Sequence, residues 1–112
     1  MTEARGPLVV LVTAPSKAKA LELGERLVDE RLAACANVVP GVTSIFVWEG
    51  KREETSEALL LIKTCGERYP ALQQRVLELH PYSVPEVLAL AVDAGAPAYL
   101  RWVQDSVAAE GR

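Results

Sequence analysis

Apolar positions along this chain follow two rhythms. Leu8 to Val12 is an unbroken aliphatic run, the pattern of a central strand covered on both faces. Pro15 and Ser16 end it, and the Ser16 hydroxyl can take up an orphan backbone N–H as a helix cap. Ala20, Leu23, Leu27, Val28 and Leu32 then fall near one helical face, with charged residues spread elsewhere, which predicts a helix over 16–33. Strand formers return at Val38, Val39, Val42, Ile45, Phe46 and Val47, interrupted at Pro40-Gly41 by a bend or bulge. Trp48-Glu49-Gly50-Lys51 reads as a hairpin turn with positive φ at Gly50. The return strand is expected over 57–64, where parity puts Glu57, Leu59, Leu61 and Lys63 on one face. Tyr69, Leu72, Val76 and Leu79 mark a second helix over 67–79, ended by Pro81 because the residue before a proline avoids the helical region. A strand over 87–92, a break at Gly95 and a helix opening on Pro97 follow. Tyr99, Val103 and Val107, joined by Leu100, form the expected buried side of that last helix.

The order of elements is that of a split βαβ, a ferredoxin-like α+β unit βαββαβ with a C-terminal helix and a long hairpin between its second and third strands. No linker divides the 112 residues, so one domain is expected over 1–112, with 1–6 a flexible tail. A second strand of about a dozen residues would reach roughly 40 Å, against a radius of gyration near 13 Å for a domain of this size. The hairpin must bend sharply at Pro40-Gly41 or project. A projecting apolar hairpin presents open edges, which proteins pair or cover, and pairing with a second copy is the more economical outcome.

Composition narrows the partners. The net charge is −3 and the basic residues are scattered, so no stripe offers itself to nucleic acid or to an anionic membrane surface. The uncharged stretch 32–48 is too short and too interrupted to span a bilayer, and no cleaved signal is evident. Two cysteines, Cys35 and Cys65, make no disulfide framework and suit a reducing, cytoplasmic setting.

The candidate chemistry is sparse. His80, the single histidine, opens the loop His80-Pro81-Tyr82-Ser83-Val84-Pro85-Glu86, whose two prolines could hold a ligand at low entropic cost. Equally, Pro81 stops the helix and His80 caps its last carbonyls. Cys35 follows the first helix, where the dipole disfavours a thiolate, and a free cysteine is commonly a small buried hydrophobe. Together Cys35 and His80 could contribute to a soft-metal site. Zinc needs three or four ligands, whereas copper(I) accepts fewer and prefers thiolate. Glu57 and Lys63 read either as an exposed face or ion pair, or as the charged floor of a pocket at a subunit edge. Trp48 reads as a packing anchor or a pocket wall. Phosphate loop, nucleophile elbow and zinc-hydrolase signatures are all missing.

The stretch from Glu30-Arg31-Leu32-Ala33-Ala34-Cys35-Ala36-Asn37 through Val38-Val39-Pro40-Gly41-Val42-Thr43-Ser44-Ile45 closely resembles the CutA divalent-cation-tolerance proteins. So do Trp48-Glu49-Gly50-Lys51, Glu57, Leu61-Ile62-Lys63-Thr64, the loop from His80 to Glu86, and Tyr99-Leu100-x-Trp102. The resemblance covers nearly the whole chain in order. It implies a ferredoxin-like fold in a tight homotrimer joined through the long hairpins, similar to the PII signalling proteins, and a link to tolerance of divalent cations, copper above all. It further implies that Cys35 and His80 match proposed copper ligands. Asn37, Trp48, Glu57, Lys63, Tyr82 and Glu86 match positions lining the cleft between subunits. Cys65 matches no family cysteine and is assigned no role. Two function classes stand: a metal-responsive or small-ligand-binding trimer without turnover, and a thiol enzyme using Cys35, His80 and Glu86 as nucleophile, base and orienter. A scaffold with incidental clefts is a third. The misplaced helix end beside Cys35 favours the first.

Overall fold

The computed structural model describes residues 6–108. Its first strand, β1 (Pro7–Ala14), buries Leu8, Val10, Val12 and Ala14 on one side while Val9, Leu11 and Thr13 stay half-buried on the other. Within one chain the aliphatic run is therefore fully covered on a single face. The covering layer is α1 (Lys17–Asp29) and α2 (Tyr69–Leu79), which bring Ala20, Leu23, Leu27, Leu72 and Val76 into the same core.

Ser16 caps α1 as expected, its Oγ accepting from the Lys19 N–H at 3.1 Å. The helix stops four residues before the predicted end. Arg31 turns left-handed (φ 61°), the Arg31 N–H reaches the Val28 carbonyl at 3.0 Å, and the Leu32 N–H reaches that of Leu27 at 2.9 Å. That double closure normally uses glycine, so no sequence signal marked it. Val28 lies off the buried face at 38 % exposure. Gly24 takes its place against the sheet, where an added Cβ would stand 3.3 Å from that of Ala36. Arg75 ties the two helices together, with Nε and Nη2 donating to the Glu30 carboxylate at 2.8 and 2.9 Å.

The hairpin of β2 (Cys35–Trp48) and β3 (Lys51–Cys65) is longer than predicted. Residues Lys51 to Ser56 look unlike a strand but pair across to Trp48 through Thr43. Pro40-Gly41 is a bulge within β2, with Gly41 at φ 78° and the ladder register shifting between Val39 and Val42. At the tip both Glu49 (φ 52°) and Gly50 (φ 80°) are left-handed, the two-residue turn whose twist matches its strands. The hairpin gives the molecule a long axis of 47 Å, so it projects.

With β4 (Val87–Ala91) the sheet runs β2-β3-β1-β4, every pair antiparallel. This is the ferredoxin-like arrangement expected from the element order. Ladder parity puts Val9, Leu11, Leu59, Leu61, Leu88 and Leu90 on the face away from α1 and α2. The last helix, α3 (Pro97–Ser106), covers only one end of that face, where Val103 and Val107 pack on Cys65. Tyr99, expected on the buried side, is 45 % exposed, whereas Val103 and Val107 towards the C-terminal end make the buried contact. Residues 1–5 of the expected tail lie outside the described residues. The Gly6 carbonyl accepts from the Gly66 N–H at 3.0 Å. Among the described residues no helix is long and apolar enough to cross a membrane.

Candidate functional site

The open sheet face carries the polar residues singled out by the sequence, in two separate groups. The first lies at the start of β2. Cys35 pairs with Lys63 across the ladder, so both point to the open face along with Asn37. Asn37 Oδ1 accepts from the Lys63 ammonium, and Cys35 Sγ lies 3.9 Å from the same oxygen. Tyr99 of α3 completes this group. Its phenol is raised above the ordinary value by partial burial first, then by the Cys35 thiol beside it. Tyr99 was missed as a site residue because its spacing fits a buried helix stripe; the matching Tyr99-Leu100-x-Trp102 motif was the available signal.

The second group sits at the other end of the sheet, where α2 hands over to the loop before β4. Tyr82 Oη donates to Glu57 Oε2 at 2.6 Å. Burial, then the hydrogen bond and charge of Glu57, push the Tyr82 phenol up to about 12. Glu57 is buried despite its charge, and among the described residues no basic side chain lies within ion-pair distance of it. His80, also buried, ends α2 with its Nε2 2.7 Å from the Thr13 carbonyl oxygen and its Nδ1 accepting from the Tyr82 N–H at 3.1 Å. The rings of His80 and Tyr82 pack at 4.7 Å.

Within one chain the remaining expected site residues stay apart. Glu57 and Lys63 share a face but stand six residues apart on β3, roughly 20 Å, so they form no ion pair. Trp48 is 45 % exposed at the hairpin tip, six residues of β3 beyond Glu57 by its pairing with Lys51. Glu86 is exposed in the loop before β4. Cys35 and His80 are not brought together. Lys63 links Cys35 to Val9, whereas His80 touches Thr13. Two strands across and four residues along amount to roughly 16 Å. Among the described residues no three of His, Cys, Asp and Glu gather closely enough to hold a metal ion, so one chain does not fit the copper pair the sequence suggested. A cavity of about 360 Å³ at the base of α3 has Cys65, Glu67 and Asp105 in its wall. Burial, with Glu67 nearby, pushes the Cys65 thiol up, which suppresses its thiolate.

These features define a class: a ferredoxin-like sheet with helices on one face, a projecting hairpin, and polar groups on an uncovered second face. The chain belongs to the CutA1 divalent ion tolerance protein family, whose model matches residues 8–106. It is 49 % identical over 98 residues to the divalent-cation tolerance protein CutA of Thermus thermophilus, covering 88 % of this chain and 95 % of that one. It is 50 % identical over 92 residues to Protein CutA of Mus musculus, covering 82 % of this chain and 52 % of that protein, and so spans about half of the mouse relative. The solved structure of the divalent cation tolerance protein from Thermus thermophilus superposes with a TM-score of 0.87 at 48 % identity, covering 89 % of this chain and 97 % of that one. The family expected from the sequence is thus the family found. Its descriptions name tolerance of divalent ions and no reaction.

Proposed function

We propose that this chain is a non-catalytic binding module that works as a homotrimer, taking a metal ion or a small ligand between subunits in support of divalent-cation tolerance. The observation that carries the reading is the uncovered sheet face. Leu88 and Leu90 are 54 % and 53 % exposed in one chain, and Val39 and Phe46 of the hairpin, on the same face by ladder parity, are 40 % and 42 % exposed. Contiguous apolar surface of this kind on a sheet marks an assembly site, and the sequence resemblance supplies the number three. Assembly would bring the two polar groups of neighbouring copies towards one another at the edges of the contact. Glu57 would then accept from a cationic group supplied from outside its own chain. Cys35, half-buried beside Asn37 and Lys63, is the soft ligand that a copper(I) ion would seek. Two free cysteines suit the reducing cytoplasm proposed for the protein.

The thiol-enzyme alternative finds less support. Cys35 has a lysine and an amide beside it, and His80, the expected base, is engaged at the far end of the sheet. Sedimentation equilibrium at micromolar concentration tests the assembly. The expected mass is three times the 12.1 kDa of one chain. Phe46→Asp is expected to yield a folded monomer, because Phe46 is 42 % exposed in one chain and on this reading a second copy would cover it. A monomer mass for the native protein sinks the reading.

A further inference from the structure

We infer that His80 is a positioning residue rather than a metal ligand: its ring, committed at both nitrogens, sets the turn that delivers the Tyr82 hydroxyl to Glu57. The inference deepens the proposed function, since it takes the Tyr82–Glu57 pair as part of the binding cleft.

The tautomer follows from the partners. The Thr13 carbonyl can only accept, so the His80 Nε2 at 2.7 Å must carry the proton. Nδ1 then holds a lone pair, and it accepts from the Tyr82 backbone N–H at 3.1 Å. Only the neutral Nε2–H ring satisfies both bonds. No nitrogen is left for an ion unless one bond breaks, and the ring is 7 % exposed, so water cannot readily replace the lost partner.

The turn is equally specific. A side-chain acceptor bonded to the N–H two residues on is the pattern of an Asx turn, here made by histidine. It reverses the chain directly after α2 and fixes Tyr82 beside the imidazole, with ring centroids 4.7 Å apart and planes at 55°. From there the phenol spans to Glu57 on β3, at 2.6 Å. Thr13 and Glu57 belong to neighbouring strands, since Thr13 pairs with Leu59. The series Thr13, His80, Tyr82, Glu57 therefore staples the loop to both strands. A helix-capping role alone would use neither the Nδ1 bond nor the phenol.

The test uses the full chain with tyrosine labelled at Cζ, the Tyr82 signal being identified by Tyr82→Phe. In the native protein the Tyr82 phenol is expected to titrate at about 12. In His80→Ala it should fall back towards the ordinary tyrosine value. His80→Asn places an amide oxygen near the position of Nδ1 and should restore the high value. Copper(I), added with a competing chelator, should bind native protein and His80→Asn equally, and the imidazole nitrogen shifts should keep the Nε2–H pattern throughout. An unmoved Tyr82 in His80→Ala overturns the inference. So does a copper(I)-induced change in the imidazole pattern, or a loss of copper(I) affinity in His80→Asn. Should His80→Ala not fold, the asparagine variant and the native nitrogen spectrum still decide. The same samples give the assembly mass, so a monomer with Tyr82 at about 12 refutes the trimer and leaves the role of His80 standing.

Discussion

Arg31 holds a φ of 61°, in the region where a Cβ crowds the following carbonyl oxygen at a cost of about 1–2 kcal/mol. The conformation is imposed by the closure of α1, through the bonds from Arg31 to Val28 and from Leu32 to Leu27. These are backbone groups. So is the Arg31 carbonyl, which accepts from Arg68 Nε and Nη2, each at 3.4 Å. Arg31→Gly keeps every one of them and removes the crowding. Against that gain, glycine gives the unfolded chain more freedom, which offsets about 0.5–1 kcal/mol. The expected net stabilisation is about 0.5–1 kcal/mol. Arg31→Ala is the control: it also deletes the exposed side chain but keeps the Cβ. The assay is urea unfolding at fixed protomer concentration, because assembly makes stability concentration-dependent, with midpoints compared at constant m. Glycine should rank above the native protein, and alanine level with it or below. A glycine variant no more stable than the alanine variant would refute the reasoning, since only the Cβ separates them.

At the hairpin tip Gly50→Val should destabilise by about 1–2 kcal/mol in a thermal melt; its φ is 80° and an added Cβ would meet nothing within 4 Å, so the loss comes from the backbone alone. Glu49→Asn should change stability with the opposite sign, since Glu49 is left-handed too and asparagine tolerates that region; equal melting temperatures for both variants would count against the turn. On the alkaline side, the Tyr82 phenol stands at about 12, raised by burial and by Glu57, so the folded state keeps a proton that the unfolded state sheds near the ordinary value of 10. Its contribution is full below that ordinary value and is lost as the pH climbs towards 12. Tyr82→Phe should flatten this part of the stability profile, with Tyr69 and Tyr99, both also raised, supplying the residual slope. An unchanged slope would show that Tyr82 is not held as described.

The elements that buried themselves within one chain were the legible ones. The stripe Ala20, Leu23, Leu27 and the pair Leu72, Val76 lie in the core as their spacing implied, because a helix with one covered face leaves a clean period. The Ser16 cap and the opening of α3 at Pro97 were legible for a local reason, a side chain or ring that satisfies the first turn. Where the deciding partner was distant in sequence, the pattern misled. Lys51 to Ser56 is a strand because it lies against the apolar half of β2, and nothing in those polar residues announces it. The exit from α1 at Arg31 carries no glycine. Of the site, Cys35, Glu57 and Lys63 stood out by residue type and strand parity, Asn37 and Tyr82 came from the resemblance, and their division into two groups needed the ladder register.

The two faces of the sheet differ in a way that joins assembly to binding. On the helix side the core is closed, and even buried Thr64 donates to the Leu32 carbonyl at 2.7 Å. On the open side aliphatic residues share the surface with Glu57 and Lys63. A second copy laid over the aliphatic part would draw those charges towards a lower dielectric, where an unpaired charge is costly. Each has one neutral partner from its own chain, Tyr82 for Glu57 and Asn37 for Lys63. These bonds reduce the desolvation penalty without cancelling the charge. The two charges cannot cancel each other either, since six residues of strand hold them roughly 20 Å apart. The covering copy must therefore bring separate partners to the two ends or leave water-filled gaps there. Either outcome fixes the register of the assembly, because sliding the apolar contact by two residues would strand a charge. Gaps floored by a carboxylate at one end, and by a lysine with a thiol at the other, are places a small polar ligand or ion can enter. On this reasoning an assembled protein would owe its cleft to an interface apolar in its middle and charged at its ends, so a variant that abolishes assembly, such as Phe46→Asp, should abolish ligand binding even though it touches neither polar group.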